Sequence, residues 1–232
     1  MALPPGVTWQ IQLSGKVDTD VKAQVFDIDL LTNSRPVVAR LNRKHRKVVC
    51  YFSAGTNESF RSAAQQFPPS TRGNRLADYP DERWLDIRRI GELKPLIERR
   101  LDLCKRKGFV AADFDNVDGY ANHSGFPLTA KDQLRFNRYL ARAAHARGLA
   151  AGLKNDLGQV RELAGTFDFA VNEQCFQYHE CGVLRRYFSG RGKAVLQIEY
   201  KGQPRQHCAR ARELGFSSLH KHLDLGAYRV AC

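Results

Sequence analysis

Short runs of Val, Ile, Phe and Ala recur along the chain, separated by stretches in which apolar residues return every three or four positions. The runs read as strands buried on both faces and the stretches as amphipathic helices. Eight runs qualify: 8–13, 23–29, 47–53, 109–116, 149–155, 167–174, 194–200 and 216–222. Thr129 and Asp132 have the spacing of a capping box. Leu134, Leu140 and Ala144 carry an apolar stripe after them, and Gly148 supplies a stop. Leu93, Ile97, Leu101 and Cys104 form a second stripe ending at Gly108, while Pro204 opens a third helix and Gly215 closes it. A strand run follows each of these glycines at once. That order predicts parallel βα units. Eight units predict an α/β fold, a compact (β/α)8 TIM barrel forming one domain over residues 1–232. An open doubly wound sheet is the alternative, but no Gly-x-Gly-x-x-Gly or phosphate-binding loop follows any strand to favour it.

The strand runs begin apolar and end polar. Their ends read Asp27-Ile28-Asp29, Tyr51-Phe52-Ser53, Asp113-Phe114-Asp115-Asn116, Lys154-Asn155, Asn172-Glu173-Gln174, Glu199-Tyr200 and His220-Lys221-His222. Charges are costly inside a packed barrel but are accommodated at its C-terminal mouth, where barrel enzymes keep their active sites. Asp29, Asp115, Glu173 and Glu199 are therefore expected to converge there. Alternation along a strand puts Asp113 on the face of Asp115 and Asp27 on the face of Asp29. A carboxylate ring suits cleavage of a glycosidic bond, in which one carboxyl protonates the leaving oxygen and another acts as nucleophile or general base. Crowding keeps one of them protonated. Tyr51, Tyr120 and Tyr200 are candidate platforms for sugar faces, and Asp118 and Tyr120 begin a loop suited to walling a subsite. Lys154 is expected to pair with the carboxylates and touch a sugar hydroxyl; a Schiff-base role is the alternative. His220 and His222 share a strand face without a marked third ligand, so neither metal nor other cofactor is expected.

Charge adds a question about partners. The chain carries 37 Lys and Arg against 24 Asp and Glu, a net charge of +13, which would suit an anionic partner. The basic residues fall in helix-like runs (40–47, 99–107 and 135–147) without interleaved aromatics. They read as solvated helix faces, and no nucleic-acid partner is expected. No apolar stretch is long enough for a membrane span, and a monomer is expected. The six cysteines lack paired Cys-x-x-Cys knuckles, so structural zinc is not expected. Cys175 and Cys181 are placed to close a small loop by a disulfide, and Cys208 with Cys232 is a weaker candidate pair. Cys50 and Cys104 sit in apolar patterns and read as buried free thiols. The even count leans towards an oxidising compartment. The opening Met1-Ala2-Leu3-Pro4-Pro5-Gly6 has neither the basic nor the apolar region of a secretory signal. The expectation is a secreted protein whose leader lies outside this sequence, with a cytosolic protein as the alternative.

An ordered set of motifs narrows the chemistry: Trp9-Gln10-Ile11-Gln12-Leu13-Ser14-Gly15; Cys50-Tyr51-Phe52-Ser53-Ala54-Gly55 with Glu58 and Arg61; Trp84-Leu85-Asp86-Ile87-Arg88; Asp115-Asn116-Val117-Asp118-Gly119-Tyr120; Leu153-Lys154-Asn155; Asn172-Glu173-Gln174-Cys175; and Glu199-Tyr200. This set resembles glycoside hydrolase family 114, the endo-α-1,4-polygalactosaminidase family, from Trp9 to about Leu225. The resemblance implies a (β/α)8 barrel that cleaves α-1,4-linked galactosamine in microbial exopolysaccharide with retention of configuration. It implies Asp115 as nucleophile and Glu173 as acid/base. Asp29, Tyr51, Asp113, Asn116, Asp118, Tyr120, Lys154, Asn155, Glu199 and Tyr200 are then the candidate contacts to the polysaccharide. The chain departs from the family at Asp113-Phe114, where members often have Glu-Pro. Three other readings stay open: a non-catalytic carbohydrate-binding barrel, a glycosidase acting on a neutral or mixed α-galactoside polymer, and a basic binder of nucleic acid or anionic surfaces.

Overall fold

All eight apolar runs form strands, and they pair in parallel. The computed structural model describes residues 3–232; Met1 and Ala2, where the predicted domain and the signal-free opening begin, lie outside the described residues. The strands are β1 (Trp9–Gln12), β2 (Val25–Asp29), β3 (Lys47–Ser53), β4 (Thr56–Glu58), β5 (Arg72–Arg75), β6 (Glu82–Leu85), β7 (Ala111–Asp115), β8 (Ala150–Lys154), β9 (Phe169–Glu173), β10 (Val195–Glu199), β11 (Ser217–His220) and β12 (Val230–Ala231). The helices are α1 (Arg35–Arg43), α2 (Ile90–Lys107), α3 (Ala130–His145), α4 (Val160–Leu163), α5 (Cys181–Tyr187) and α6 (Pro204–Leu214). The main sheet runs β1-β2-β3-β7-β8-β9-β10-β11-β12 and is parallel except for the final antiparallel pair. Thr129 and Asp132 cap α3 reciprocally, and Gly108 and Gly215 end α2 and α6 in the left-handed conformation that glycine adopts without strain.

Alternation along the strands builds two cores. Trp9, Val25, Val49, Ala111, Val171 and Ile198 face inward, while Phe26, Val48, Phe52, Phe114 and Leu153 pack outward with Leu93, Ile97 and Leu101 of α2. Because the inward set includes Asp29, Tyr51, Asp115, Lys154 and Glu173 at the strand ends, the same alternation raises these groups at one mouth.

Several expectations are corrected. Six α-helices form among the described residues, not eight, and β1 and β11 lack a helix after them. Residues 13–24 hold Gly15 at φ 69° and no apolar helical stripe, and no such stripe follows β11 either. No ladder joins β1 to β11. The C-terminal segment bridges that seam instead. Leu225 O accepts from Leu13 N at 2.9 Å, Ala227 O accepts from Gln10 Nε2 at 3.1 Å, and β12 pairs with β11. Trp9 Nε1 adds a direct bond to Ser217 O at 2.8 Å. The fold is thus α/β, with eight parallel strands in a curl rather than a complete, laddered (β/α)8 closure.

Cys50 and Cys104 are not free thiols. They form a disulfide between the outer face of β3 and the inner face of α2, with Cα atoms 6.0 Å apart. Cys175–Cys181 and Cys208–Cys232 are also bonded. Burial and pairing were compatible after all, and 54 residues of separation hid the partnership. The basic runs are also less uniform than expected. Arg100 is buried and donates to Ser53 O and Gln65 O at 2.7 and 2.6 Å, tying α2 to the end of β3. The run 40–47 leaves the helix after Arg43, and Lys47 already belongs to β3. Among the described residues no helix is long and apolar enough to cross a membrane.

Candidate active site

A cleft of about 730 Å³ opens over the strand ends. On its floor Lys154 Nζ lies 2.7 Å from Asp115 Oδ1 and 2.8 Å from Glu173 Oε2. Each carboxylate also takes a tyrosine hydroxyl: Tyr51 donates to Asp115 Oδ2 at 2.6 Å, and Tyr200 donates to Glu173 Oε1. Asn116 reaches Asp115, Ser53, Thr56 and Glu82, while Asn155 donates to Glu173 Oε2 at 3.2 Å. Local backbone explains these asparagines. Asn116, Asn155 and Gln174 directly follow β7, β8 and β9 and have φ of 60°, 48° and 64°. The left-handed turn ends each strand abruptly, and asparagine tolerates it better than most residues. The Asn116 and Asn155 side chains can then fold back over the carboxylates.

The charge balance follows from this geometry. Burial tends to raise the Asp115 carboxyl, but the Lys154 ammonium and the Tyr51 hydroxyl overcome it and hold the group below the usual aspartate range. Burial tends to lower Lys154, yet Asp115 and Glu173 push it well above an ordinary lysine. It stays an ammonium, which removes the free amine that a Schiff base requires. Tyr51 and Tyr200 are both raised, by burial and then by the adjacent carboxylate, so both remain phenols that donate.

The other candidates divide. Asp29 reaches the cleft wall, where it accepts from Leu31 N, Thr32 N and Thr32 Oγ1 and pairs with Arg61 at 2.5 Å. Asp118 lines the cleft, while Tyr120 lines a second, adjoining pocket. Asp113 is corrected. It lies one layer below Asp115, fully buried, and no donor reaches either of its oxygens among the described residues. Burial raises it to about 7, Asp27 faces it with a carboxyl raised even more firmly by burial, and no sugar can touch either. Glu199 is corrected for a different reason. Leu196 and Ile198 face inward on β10, so Glu199 faces outward and only Tyr200 returns to the mouth. Glu199 accepts from Phe176 N at 3.0 Å and Gln197 Nε2 at 2.7 Å, bracing the turn around Cys175.

Other cleft residues were missed as site candidates. Residues 56–85 form a small antiparallel sheet, order β4-β6-β5, that walls one side. It contributes Glu82, whose carboxyl burial raises to about 7, and Trp84; exposed Phe60 and Tyr79 stand at the rim. Glu58, Arg61 and Trp84 stood in quoted motifs, and that was the available signal. Eight lining residues are Asp or Glu, against Arg61, Arg75 and Lys154 as cations, so the cleft is acidic on a basic body. His207, Cys208 and Cys232 cluster as metal ligands would, but the two sulfurs are bonded to each other.

Paired carboxylates in an open acidic cleft above parallel strand ends suit glycosidic-bond cleavage, and the family match makes the chain a glycoside hydrolase. It belongs to glycoside-hydrolase family GH114, whose profile matches residues 1–232. It is similar to Aspergillus fumigatus Ega3, solved in complex with galactosamine: 37% identity, all of this chain and 97% of that one covered, TM-score 0.93. The glycoside hydrolase domain of PelA from Pseudomonas aeruginosa shares the fold at 13% identity, with 98% of each chain covered and a TM-score of 0.74. A D-psicose 3-epimerase from Clostridium cellulolyticum H10, solved with D-tagatose, shares it more loosely at 10% identity, 94% and 85% coverage and a TM-score of 0.54. No curated protein matches the chain.

Proposed function

We propose that this enzyme cleaves α-1,4-linked galactosamine polymers internally and with retention, using Asp115 as nucleophile and Glu173 as acid/base. The observation that carries the reading is the Lys154 bridge. Its contacts of 2.7 and 2.8 Å limit the separation of Asp115 Oδ1 and Glu173 Oε2 to about 5.5 Å, the spacing of retaining rather than inverting glycosidases. Protonated Glu173 gives its proton to the glycosidic oxygen as Asp115 attacks the anomeric carbon. The leaving sugar departs and an Asp115 ester remains. Glu173, now a carboxylate, takes a proton from water, and the water oxygen displaces Asp115. Lys154 keeps Asp115 ionised for attack, and Tyr51 fixes its second oxygen.

The similarity to Ega3, bound to galactosamine, supports an amino-sugar substrate. The acidic lining supports it too, because a cleft of one sign concentrates ligands of the other. An open cleft suits internal cleavage. Three disulfides with no free cysteine among the described residues favour an oxidising compartment, and so secretion. The chain acts as one domain and as a monomer in this reading. Asp115→Asn and Glu173→Gln should each lower reducing-end release from polygalactosamine by about 10³-fold or more with unchanged circular dichroism. Early products observed by NMR should be α-anomers. Full activity in either variant, or β-anomers first, overturns the assignment.

A further inference from the structure

Asn116 has more acceptors around it than it can serve. Its Nδ2 carries two hydrogens, yet four oxygens stand within reach: Ser53 Oγ at 3.1 Å, Thr56 Oγ1 at 3.2 Å, Glu82 Oε2 at 3.3 Å and Asp115 Oδ2 at 3.4 Å. The two hydroxyls tie the set together, because Thr56 Oγ1 lies 2.5 Å from both Ser53 Oγ and Glu82 Oε2. Ser53 and Thr56 are fully buried. A closed chain of contacts thus runs from Glu82 in the side wall to the second oxygen of Asp115. Tyr51 donates to that oxygen at 2.6 Å, and Lys154 holds the other at 2.7 Å. The terminal torsion of a carboxylate is soft, so a second donor on Oδ2 decides how firmly the group is aimed.

Glu82 is the member of this chain whose hydrogen-bonding capacity can change. A carboxylate only accepts, whereas a carboxylic acid also donates once. Strand pairing sets Glu82 on β6 opposite Glu58 on β4, and like charges so placed repel. Arg61 relieves only Glu58, at 2.8 Å, while also pairing with Asp29 at 2.5 Å. Arg75 on β5 lines the same cleft, but no cation pairs with Glu82 among the described residues. The other titratable groups facing it are Asp115, Tyr51 and Tyr79. Burial, reinforced by Asp115 and Glu58, raises the Glu82 carboxyl to about 7.

We propose that Glu82 is a positioning residue for the nucleophile: as a neutral acid it frees Asn116 to hold Asp115 Oδ2 beside Tyr51. The proposal rests on Asp115 being the nucleophile. An acid at Glu82 donates to Thr56 Oγ1, and the Thr56 hydroxyl turns to Ser53 Oγ. Both Asn116 hydrogens are then free for other acceptors, of which the ionised Asp115 is the strongest. A carboxylate at Glu82 instead draws the Thr56 hydroxyl and one Asn116 hydrogen to itself, and Asp115 keeps Tyr51 alone on Oδ2.

Steady-state kinetics on galactosamine oligomers test this, with thermal melts alongside to separate loss of rate from loss of fold. At mildly acidic pH, Glu82→Ala should lower kcat about tenfold or more and leave KM within about twofold, since small displacements of reacting groups cost rate. Glu82→Gln, which keeps one donor for Thr56, should recover most of that loss. Thr56→Val should repeat the loss, and the double variant Glu82→Ala/Thr56→Val should lose no more than the worse single variant, as expected of one shared path. Above about pH 8 the wild-type kcat should fall several-fold relative to Glu82→Gln, which cannot ionise there. A raised KM with unchanged kcat would make Glu82 a substrate contact and overturn the role. Losses that add in the double variant, or pH profiles that run parallel in wild type and Glu82→Gln, would overturn it too. If Asp115→Asn keeps full activity, the nucleophile reading fails first; if Asp115→Asn is inactive while Glu82→Ala keeps its kcat, the positioning role alone fails.

Discussion

Lys154 decides how two carboxylates can stand so close. In Lys154→Met the burial that raises Asp115 remains and the ammonium that lowers it is gone, so the Asp115 pKa moves up. Attack needs ionised Asp115, so the acid limb of kcat/KM should move to higher pH and the rate at mildly acidic pH should fall about 10²- to 10³-fold. A pH–rate profile with an unmoved acid limb would contradict this. Glu82 gives a separate pH signature. Its folded carboxyl sits at about 7 against an ordinary 4.5. Between those values the folded chain holds a proton that the unfolded chain has released, so this group's effect is to make stability fall as pH rises through the window and level off above it. Glu82→Gln should therefore melt above the wild type at pH 8 and converge with it near pH 4.5, read by calorimetry.

The elements that carry the site are joined by backbone contacts too close for side chains. Ala54 N and Gly55 N, just past β3, both donate to Asp115 O at the end of β7. A Cβ at Gly55 would fall 1.6 Å from Asn116 O. Gly55→Ala must push Asn116, and Asp115 with it. A displacement of roughly 1 Å costs about 10² in rate, and overpacking costs about 1–3 kcal/mol of stability; kcat and thermal melts together would register both. The β-strand pattern was readable from the apolar runs, and Asp115 and Glu173 were readable as strand-end acids. Glu199 misled because its fellow acids suggested a ring, whereas the parity of β10 depends on Leu196 and Ile198 facing inward. The wall from β4 to β6 was not read as structure, since its strands are only three or four residues long and β4 and β5 are polar.

Taken whole, the molecule encloses its inner core without a closing ladder, and the end of the chain supplies the missing contacts. Cys208–Cys232 fastens that end to α6 across 24 residues. Replacing both cysteines by serine should lower the unfolding free energy by about 3 kcal/mol, measured by denaturant titration; an unchanged midpoint would mean that β12 holds the seam alone. The linear order of residues already determined the eight strands, the glycine and capping stops and the polar strand ends, because each depends on local periodicity and on residues a few positions away. Which acids meet was decided only by folding. Lys154 joins Asp115 to Glu173 and Cys50 finds Cys104 because curvature and strand parity bring distant segments together. Asp113 is sealed and Glu199 turned outward for the same reason: a side chain's depth and facing belong to the packed sheet, and no short stretch of sequence contains them.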